Sequence, residues 1–265
     1  MKKKQKKAKA SHKKRSFLKI VGYIILFFFG LSVFMTLCYR WINPPVTPLM
    51  LIRAIKDGES IRKDWVPIED ISYYMISAAI ASEDNNFLGH KGFDFGAIQK
   101  AVDLNKKGKG KRKRGASTIS QQTAKNVFLW PGRSWIRKGL EVYFTFLIET
   151  FWPKDRIMEV YLNVIEMGPG IYGSEAAAQH YFHIPATKLT KRQASLITAC
   201  YPNPRKRNPA KPTSYINQRA YQIAALIPKF GKIKFDKESI QKAKERYKKR
   251  EEKRIKKNDG KVLAL

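Results

Sequence analysis

The longest apolar run of the chain lies close to its start. Residues 20–39, IVGYIILFFFGLSVFMTLCY, contain no charged side chain. About 20 such residues are enough for a helix to cross a hydrocarbon layer of ~30 Å, and a helix satisfies its own backbone hydrogen bonds there. The run is longer than the apolar segment of a signal peptide, and no small-residue cleavage site follows it. We therefore predict an uncleaved transmembrane anchor over residues 17–40.

After the anchor, apolar positions recur with the period of an α-helix. Between Asp70 and Ser82 they repeat at a spacing of about 3.6 residues, which predicts a helix with one buried face. Capping residues and stop signals place five more helices: one from Ser117, one from Ser134 to before Pro153, one over residues 154–168, one from Ser174, and one from the Thr190–Gln193 capping box to Pro202. No alternating run is long enough to predict a strand, so the fold class is predicted to be mainly α.

Changes in composition divide the chain into five segments. We predict a basic tail over 1–16, the anchor over 17–40, a linker and domain entry over 41–64, a catalytic domain over 65–230 and a basic C-terminal tail over 231–265. Within the domain, the glycine- and lysine-rich stretch 104–115 is predicted to be a mobile loop.

The charge balance narrows the choice of partner. The chain has 53 Lys and Arg against 21 Asp and Glu, a net charge of +32, which indicates an anionic partner. The basic block precedes the apolar run, and only Arg40 lies directly after it. The positive-inside rule then places the N-terminus in the cytoplasm and the catalytic domain outside. We therefore expect anionic membrane lipids as partners and no nucleic acid.

An adjacent pair of acids, Glu83 and Asp84, stands where the first helix of the domain is predicted to end. Taken alone, this pair is typical of a solvated helix end, of an acid–base site or of a metal site. Phe87, His90, Gly92 and Asp94 follow at short intervals. A single His without a second His or Cys at ligand spacing argues against a protein-bound metal, so no metal ligands are predicted.

Two later helices carry polar side chains in unusual patterns. Ser117, Gln121 and Lys125 recur every four residues, and Thr118, Gln122 and Asn126 form a second stripe beside them. Such a neutral, hydrogen-bonding face around one lysine suits a sugar and a phosphate, although a solvated face is the alternative. The next helix contributes four charged residues: Arg133, Arg137, Lys138 and Glu141. Arg137 and Glu141 also fit an ordinary i,i+4 ion pair.

These motifs resemble those of the monofunctional biosynthetic peptidoglycan glycosyltransferases, which are related to the glycosyltransferase domain of bifunctional penicillin-binding proteins. The resemblance runs in order from about residue 65 to 210. It covers the Glu83–Asp94 motif, the Gly115–Asn126 motif, Arg137-Lys138-x-x-Glu141, and Tyr161-Leu162-Asn163 followed by Gly168. No second domain follows these motifs, so we expect no attached transpeptidase.

The resemblance implies a function, a fold and a location. The function is polymerisation of lipid II into glycan strands at the bacterial cytoplasmic membrane, and the fold is a lysozyme-like, two-lobed, all-α domain. Glu83 is implied as the catalytic base and Glu141 as a second essential acid. Lys125, Arg133 and Arg137, with Lys138 less directly, are implied at the pyrophosphate. Asp84, Phe87, His90, Gly92, Asp94 and Asn163 are supporting residues.

Several partners and alternatives stay open. A divalent cation, Mg²⁺ or Mn²⁺, is a candidate for the pyrophosphate site, and other proteins of cell-wall synthesis are candidate partners. A lysozyme-like muramidase is the enzymatic alternative. It needs one carboxyl held protonated, whereas neighbouring Lys and Arg favour the ionised form. A basic membrane-anchored scaffold would explain the charge but not the Ser-Thr-Gln-Gln pattern.

Overall fold

In the computed structural model the backbone is described for residues 2–107 and 115–262, and the side chains for residues 19–106 and 115–256. The chain divides into an N-terminal unit, Met1–Ile42, and a second unit, Asn43–Leu265. Most of the predicted basic loop, residues 108–114, lies outside the described residues.

The N-terminal unit is one helix, α1, Lys2–Cys38. Its 20-residue stretch Lys19–Cys38 has a mean hydropathy of 2.4 and is long and apolar enough to cross a membrane. Large apolar side chains such as Phe27 and Phe28 are more than half exposed. This pattern matches the predicted anchor, because a helix that is apolar on all sides needs an apolar environment.

The second unit begins with a helix where a linker was predicted. Helix α2, Pro48–Asp57, starts at the N-cap Thr47, has Pro at its first position and ends at Gly58 with φ +68°. Thr-Pro at the start and Gly after the end form the usual start and stop signals of a helix, and the prediction of a linker overlooked them. Helix α2 packs against helix α5, Ile119–Phe128.

One group of packed helices contains α3, α9 and α10. Helix α3, Tyr73–Glu83, is capped by Ser72, and α9, Lys191–Cys200, has the predicted Thr190–Gln193 capping box. Helix α10, Ser214–Leu226, was not predicted. Helix α9 packs against both α3 and α10, which fixes the C-terminal end of α3 and the acid pair there.

A second group is built around α5. It contains α5 (Ile119–Phe128), α6 (Trp135–Phe151) and α7 (Lys154–Val164), with α5 packed on the other two. The α6 start at the Ser134 cap is confirmed, but the predicted cap at Ser117 is wrong. Thr118 is the N-cap, because its hydroxyl and the Gln121 side chain form a reciprocal capping box. Helix α4, Phe95–Lys107, occupies part of the predicted loop.

A small three-stranded sheet joins the remaining elements. Its strands are β1 (Arg62–Lys63), β2 (Glu166–Gly168) and β3 (Ile171–Tyr172), in the order β1-β3-β2. Strand β3 is parallel to β1 and antiparallel to β2. Strands of two or three residues carry too few positions to show alternation, which explains why none was predicted. Helix α8, Ser174–Phe182, follows with Gly173 at the N-cap, one residue before the predicted Ser174.

The C-terminal segment, for which only a basic tail was predicted, contains a long helix. After a 3₁₀ turn at Ile227–Phe230, helix α11 runs over Lys237–Val262. Two further 3₁₀ turns lie at Ile68–Asp70 and Ala186–Lys188. The mainly α fold class is confirmed.

Candidate active site

The two adjacent acids at the end of α3 have different surroundings. Asp84 is 6% exposed and directly follows the helix. His90 Nε2 lies 2.9 and 3.0 Å from its two oxygens, and the backbone N–H of Ile119 donates to Oδ2 at 3.1 Å. Because a buried carboxylate is costly unless it is hydrogen-bonded, Asp84 is anchored and ties the α3 end to the first turn of α5.

The loop after Asp84 is packed through the other residues of the motif. Phe87 is fully buried. Asp94 Oδ1 accepts a hydrogen bond from the Ala97 N–H at 2.9 Å in the first turn of α4. Gly92 has φ +82°, and a Cβ there would lie 2.7 Å from Thr145 Cγ2. Backbone conformation and space therefore both require glycine at this position, and the loop geometry is fixed.

A buried ion pair, Lys154–Glu149, also contacts this loop. Lys154 Nζ donates to Glu149 Oε1 at 2.7 Å and to the His90 carbonyl at 2.8 Å, and lies 4.6 Å from the Phe87 ring centre. Both charged side chains are only 8% exposed, and Ser120 donates a further hydrogen bond to Glu149. Burial lowers the pKa of Lys154, and Glu149 opposes that shift.

Glu83, by contrast, is half-buried and is held from the side of α5. Gln122 Nε2 donates to its Oε2 at 2.9 Å, and Ser82 Oγ donates to Oε1 at 2.9 Å. Tyr161 and Tyr201 belong to the same neighbourhood, because burial and the nearby Glu83 carboxylate raise the pKa of both phenols. Glu83 thus has oriented oxygens and lacks the saturating set of donors found at Asp84.

A cluster of charges lies one turn further along α5. Burial lowers the pKa of Lys125, and the nearby cations Arg137 and Lys138 lower it further. The carboxylates of Glu141 and Glu83 act in the opposite direction and raise this pKa. Glu141 itself is 3% exposed. Lys138 Nζ lies 2.5 Å from its Oε1, and Arg137 Nη1 lies 3.5 Å from its Oε2. The cluster therefore brings together five of the charged groups predicted for the site: Glu83, Lys125, Arg137, Lys138 and Glu141.

A cleft with a volume of about 330 Å³ opens beside this cluster. Its wall combines predicted polar residues with apolar ones: Leu49, Lys125, Asn126, Leu129, Trp130, Pro131, Gly132, Arg133 and Arg137. Arg137 Nε is buried and has no hydrogen-bond partner among the described residues. A cleft lined by three cationic side chains, Lys125, Arg133 and Arg137, is suited to an anion.

Several predicted site residues have structural roles instead of lining the cleft. Ser117 is exposed and lies outside α5, whereas the Thr118 and Gln121 side chains form the capping box. The predicted face of Ser117, Gln121 and Lys125 is therefore wrong, since only Lys125 lines the cleft. Asn163 is fully buried, and its amide bonds to the Val66 N–H and carbonyl at 3.0 and 2.9 Å.

Sequence reasoning missed several residues that complete the site. The Lys154–Glu149 pair had no motif to mark it, because its two charges lie on different helices. Leu49 was overlooked because the Thr-Pro helix start was not recognised. Ser82 could have been noted beside Glu83, but a serine there had no distinguishing pattern.

The described residues contain no group of three or more His, Cys, Asp or Glu side chains that could hold a metal ion. Both oxygens of Glu141 face Lys138 and Arg137. Among the described residues at the cleft, the Glu141 carboxylate is thus already paired with protein cations.

Comparison with known proteins gives consistent matches over this region. Residues 50–227 match the transglycosylase family. A biosynthetic peptidoglycan transglycosylase of Bdellovibrio bacteriovorus is 52% identical over 241 residues, covering 84% of this chain and 95% of the relative. Its counterpart in Bacteroides thetaiotaomicron is 49% identical over 250 residues, covering 90% and 99%. A third, from Caulobacter vibrioides, is 56% identical over 185 residues, covering 70% and 80%.

Proposed function

We propose a catalytic arrangement for this chain on the premise that it belongs to the transglycosylase family and is a peptidoglycan glycosyltransferase. Its substrates are lipid II and the growing glycan strand. The acceptor 4-hydroxyl oxygen forms a bond to the donor anomeric carbon. The bond from that carbon to the lipid pyrophosphate breaks, and the pyrophosphate leaves with the electron pair.

Glu83 is the general base of this proposal. The acceptor hydroxyl must lose its proton as it attacks, and a carboxylate within hydrogen-bond reach accepts it. Gln122 and Ser82 orient the two oxygens of Glu83, so the carboxylate is positioned before substrate binds. Its partial exposure leaves room for an incoming hydroxyl.

Lys125, Arg133 and Arg137 bind the pyrophosphate and stabilise the charge that develops on it. The observation that supports this most is that all three cationic side chains line the same cleft. Preorganised cations in a partly dry site stabilise developing negative charge strongly. Glu141 then acts as a positioning residue, because its carboxylate holds Lys138 and Arg137.

A divalent cation, Mg²⁺ or Mn²⁺, is a further proposal for the same site. With Glu141 already paired with Lys138 and Arg137, such an ion would take its oxygen ligands mainly from the pyrophosphate, as Mg²⁺ commonly does. A chelator titration checks this. We expect the rate with lipid II to fall on adding EDTA and to return with Mg²⁺ or Mn²⁺, whereas an unchanged rate removes the ion from the proposal.

The apolar helix α1 is consistent with a membrane anchor, and we propose that it crosses the cytoplasmic membrane once with its N-terminus inside. The basic block lies before the span, and the positive-inside rule sets the orientation. A reporter fused after Leu265 should be active only outside the cytoplasm, and cytoplasmic activity would contradict the orientation. Anionic lipids are the proposed partners of the basic surface.

One assay tests the proposed reaction as a whole. The purified full chain is incubated with lipid II in detergent, and the product is then treated with a muramidase. We expect a polymer that the muramidase digests. Loss of preformed glycan without consumption of lipid II would instead establish the hydrolytic alternative.

A further inference from the structure

The helix α11 lies outside the segment that matches the transglycosylase family. The match ends at residue 227, and α11 begins at Lys237. Within the second unit, however, α11 contacts the loop that follows Glu83 and Asp84. Its contact residues are Ala243, Tyr247, Arg250 and Glu251.

The sequence of the loop fits this contact closely. A Cβ on Gly89 would lie 2.7 Å from Tyr247 Cβ and 2.9 Å from the Ala243 carbonyl. A Cβ on Gly96, in the first turn of α4 directly after the loop, would lie 2.5 Å from Glu251 Oε1. Neither glycine has a positive φ, so the backbone conformation does not require glycine at either position. The approach of α11 explains why Gly89 has no side chain.

Polar and aromatic contacts extend this fit to other side chains of the loop. Arg250 Nη1 donates to Asn86 Oδ1 at 3.1 Å, and Asn86 Nδ2 donates to Asp94 Oδ2 at 2.8 Å. The Tyr247 ring lies edge-on to the His90 ring, with 6.0 Å between centroids. Its hydroxyl is 3.5 Å from Asp94 Oδ1. Three loop side chains are therefore held from the same helix.

These contacts continue from the loop to the base. His90 holds Asp84, and Asp84 accepts a hydrogen bond from the Ile119 N–H in the first turn of α5. One turn further along α5, Gln122 donates to Glu83. An unbroken series of contacts thus joins Tyr247 to the oxygen of Glu83.

We propose that α11 contributes to catalysis through Tyr247, which is a positioning residue. Tyr247 fixes the loop after Glu83, and the loop in turn fixes the orientation of the Glu83 carboxylate. This inference rests on the proposed role of Glu83 as base. It assigns a function to a segment that the family match does not include. The ring of Tyr247 contributes most, because it packs on both His90 and Gly89.

Variants of the full chain test this proposal with matched controls. Tyr247→Ala removes the ring, Tyr247→Phe keeps it, and Lys248→Ala changes the neighbouring, exposed position on the same helix. We expect Tyr247→Ala to lower kcat roughly tenfold with little change in KM for lipid II, since small misplacements of catalytic groups are costly. Tyr247→Phe should restore most of the rate, and Lys248→Ala should match the unmodified chain.

Hydrogen exchange supplies a readout that does not depend on activity. In Tyr247→Ala the amides of residues 85–96 should exchange faster, while those of α9 and α10 stay protected. Gly89→Ala, which displaces α11 from the other side, should reproduce both the faster exchange and the lower kcat. Unchanged exchange or unchanged kcat in Tyr247→Ala would overturn the proposal, as would equal losses in Lys248→Ala.

A Glu83→Gln variant in the same assays separates the two levels of inference. If Glu83→Gln is inactive while Tyr247→Ala is fully active, the proposed role of α11 is contradicted, but the assignment of Glu83 as the base still holds. If Glu83→Gln keeps full activity, the base itself is misassigned, and the positioning proposal falls with it.

Discussion

Glu83 and Asp84 are chemically similar neighbours on the chain, yet they belong to two different regions of the molecule. On the buried side, Asp84 faces His90 and the Ile119 N–H, and the Lys154–Glu149 pair lies behind the same loop. On the cleft side, Glu83 faces Gln122, with Lys125 and its neighbouring cations one turn away.

The difference separates charges that are paired within the protein and stabilise the fold from charges at the cleft that are available to a substrate. In the buried region, Asp84 and the Lys154–Glu149 pair find hydrogen-bond partners within the protein, so their removal should cost stability. The cleft region presents the cations Lys125, Arg133 and Arg137 to an open cleft, so its residues should contribute to rate. A perturbed group in a cleft, such as Lys125, indicates function, whereas paired groups under a loop stabilise the fold.

The largest expected effect on stability comes from breaking the buried region. Lys154→Met keeps the side-chain length but leaves Glu149 buried without its cation. Removing one partner of a buried pair typically costs about 3–5 kcal/mol, and we expect that loss in the free energy of unfolding, measured by urea titration in detergent. A loss below about 1 kcal/mol would show that the two regions do not differ in this way.

The next effect concerns the cations of the cleft. Lys125→Ala and Arg137→Ala should each lower kcat/KM by about 10²–10³-fold, because each removes preorganised charge stabilisation. Lys138→Ala should have a smaller effect, since its side chain is 42% exposed and pairs with Glu141. Unfolding midpoints serve as the control and should stay close to that of the unmodified chain. Equal, small losses at all three positions would place the pyrophosphate elsewhere.

The pH dependence of the rate should show whether the reaction requires the charge on Lys125. Burial lowers the pKa of this lysine, so it loses its charge at a lower pH than an ordinary lysine as the pH rises. The rate should therefore fall on an alkaline limb below the usual lysine range. Lys125→Arg keeps its charge throughout and should move that limb to higher pH. An alkaline limb at the same pH in both proteins would assign it to another group.

The smallest effect is expected at an exposed ion pair. Lys242 and Glu238 on α11 form a pair whose side chains are 62% and 76% exposed. Lys242→Met should change the free energy of unfolding by no more than about 1 kcal/mol, because water screens such pairs. Measured beside Lys154→Met, it separates the effect of burial from the effect of pairing a lysine with a glutamate.

Local signals predicted much of the fold. The period of α3 and the caps at Ser134 and Thr190 were enough to place three helices, since a cap satisfies backbone groups within one turn. Helix α10 was missed because its Thr213 N-cap was overlooked. Helix α11 was missed because it contacts a loop that is distant in sequence. The lysine-rich sequence around Tyr247 does not indicate the contacts of this residue with Gly89 and His90, which only the fold brings beside it.

Residues of the candidate site could be predicted where they belong to a sequence motif. They could not be predicted where tertiary packing determines which side chain faces the site. Glu83, Lys125 and Arg137 stand together as expected, because each belongs to an ordered motif. The sequence could not distinguish Gln122, which holds Glu83, from Gln121, which caps the helix. That distinction depends on a one-residue shift in the start of α5, within the usual error of a helix boundary.

The most direct test of the division between the two acids measures Glu83→Gln and Asp84→Asn side by side. For Glu83→Gln we expect kcat on lipid II to fall by about 10²–10⁴-fold, as for loss of a general base, with unchanged unfolding. For Asp84→Asn we expect a clear drop in the free energy of unfolding, because a buried acceptor of the His90 and Ile119 hydrogen bonds is weakened. Near-normal polymerisation by Glu83→Gln, with folding intact, would contradict the account.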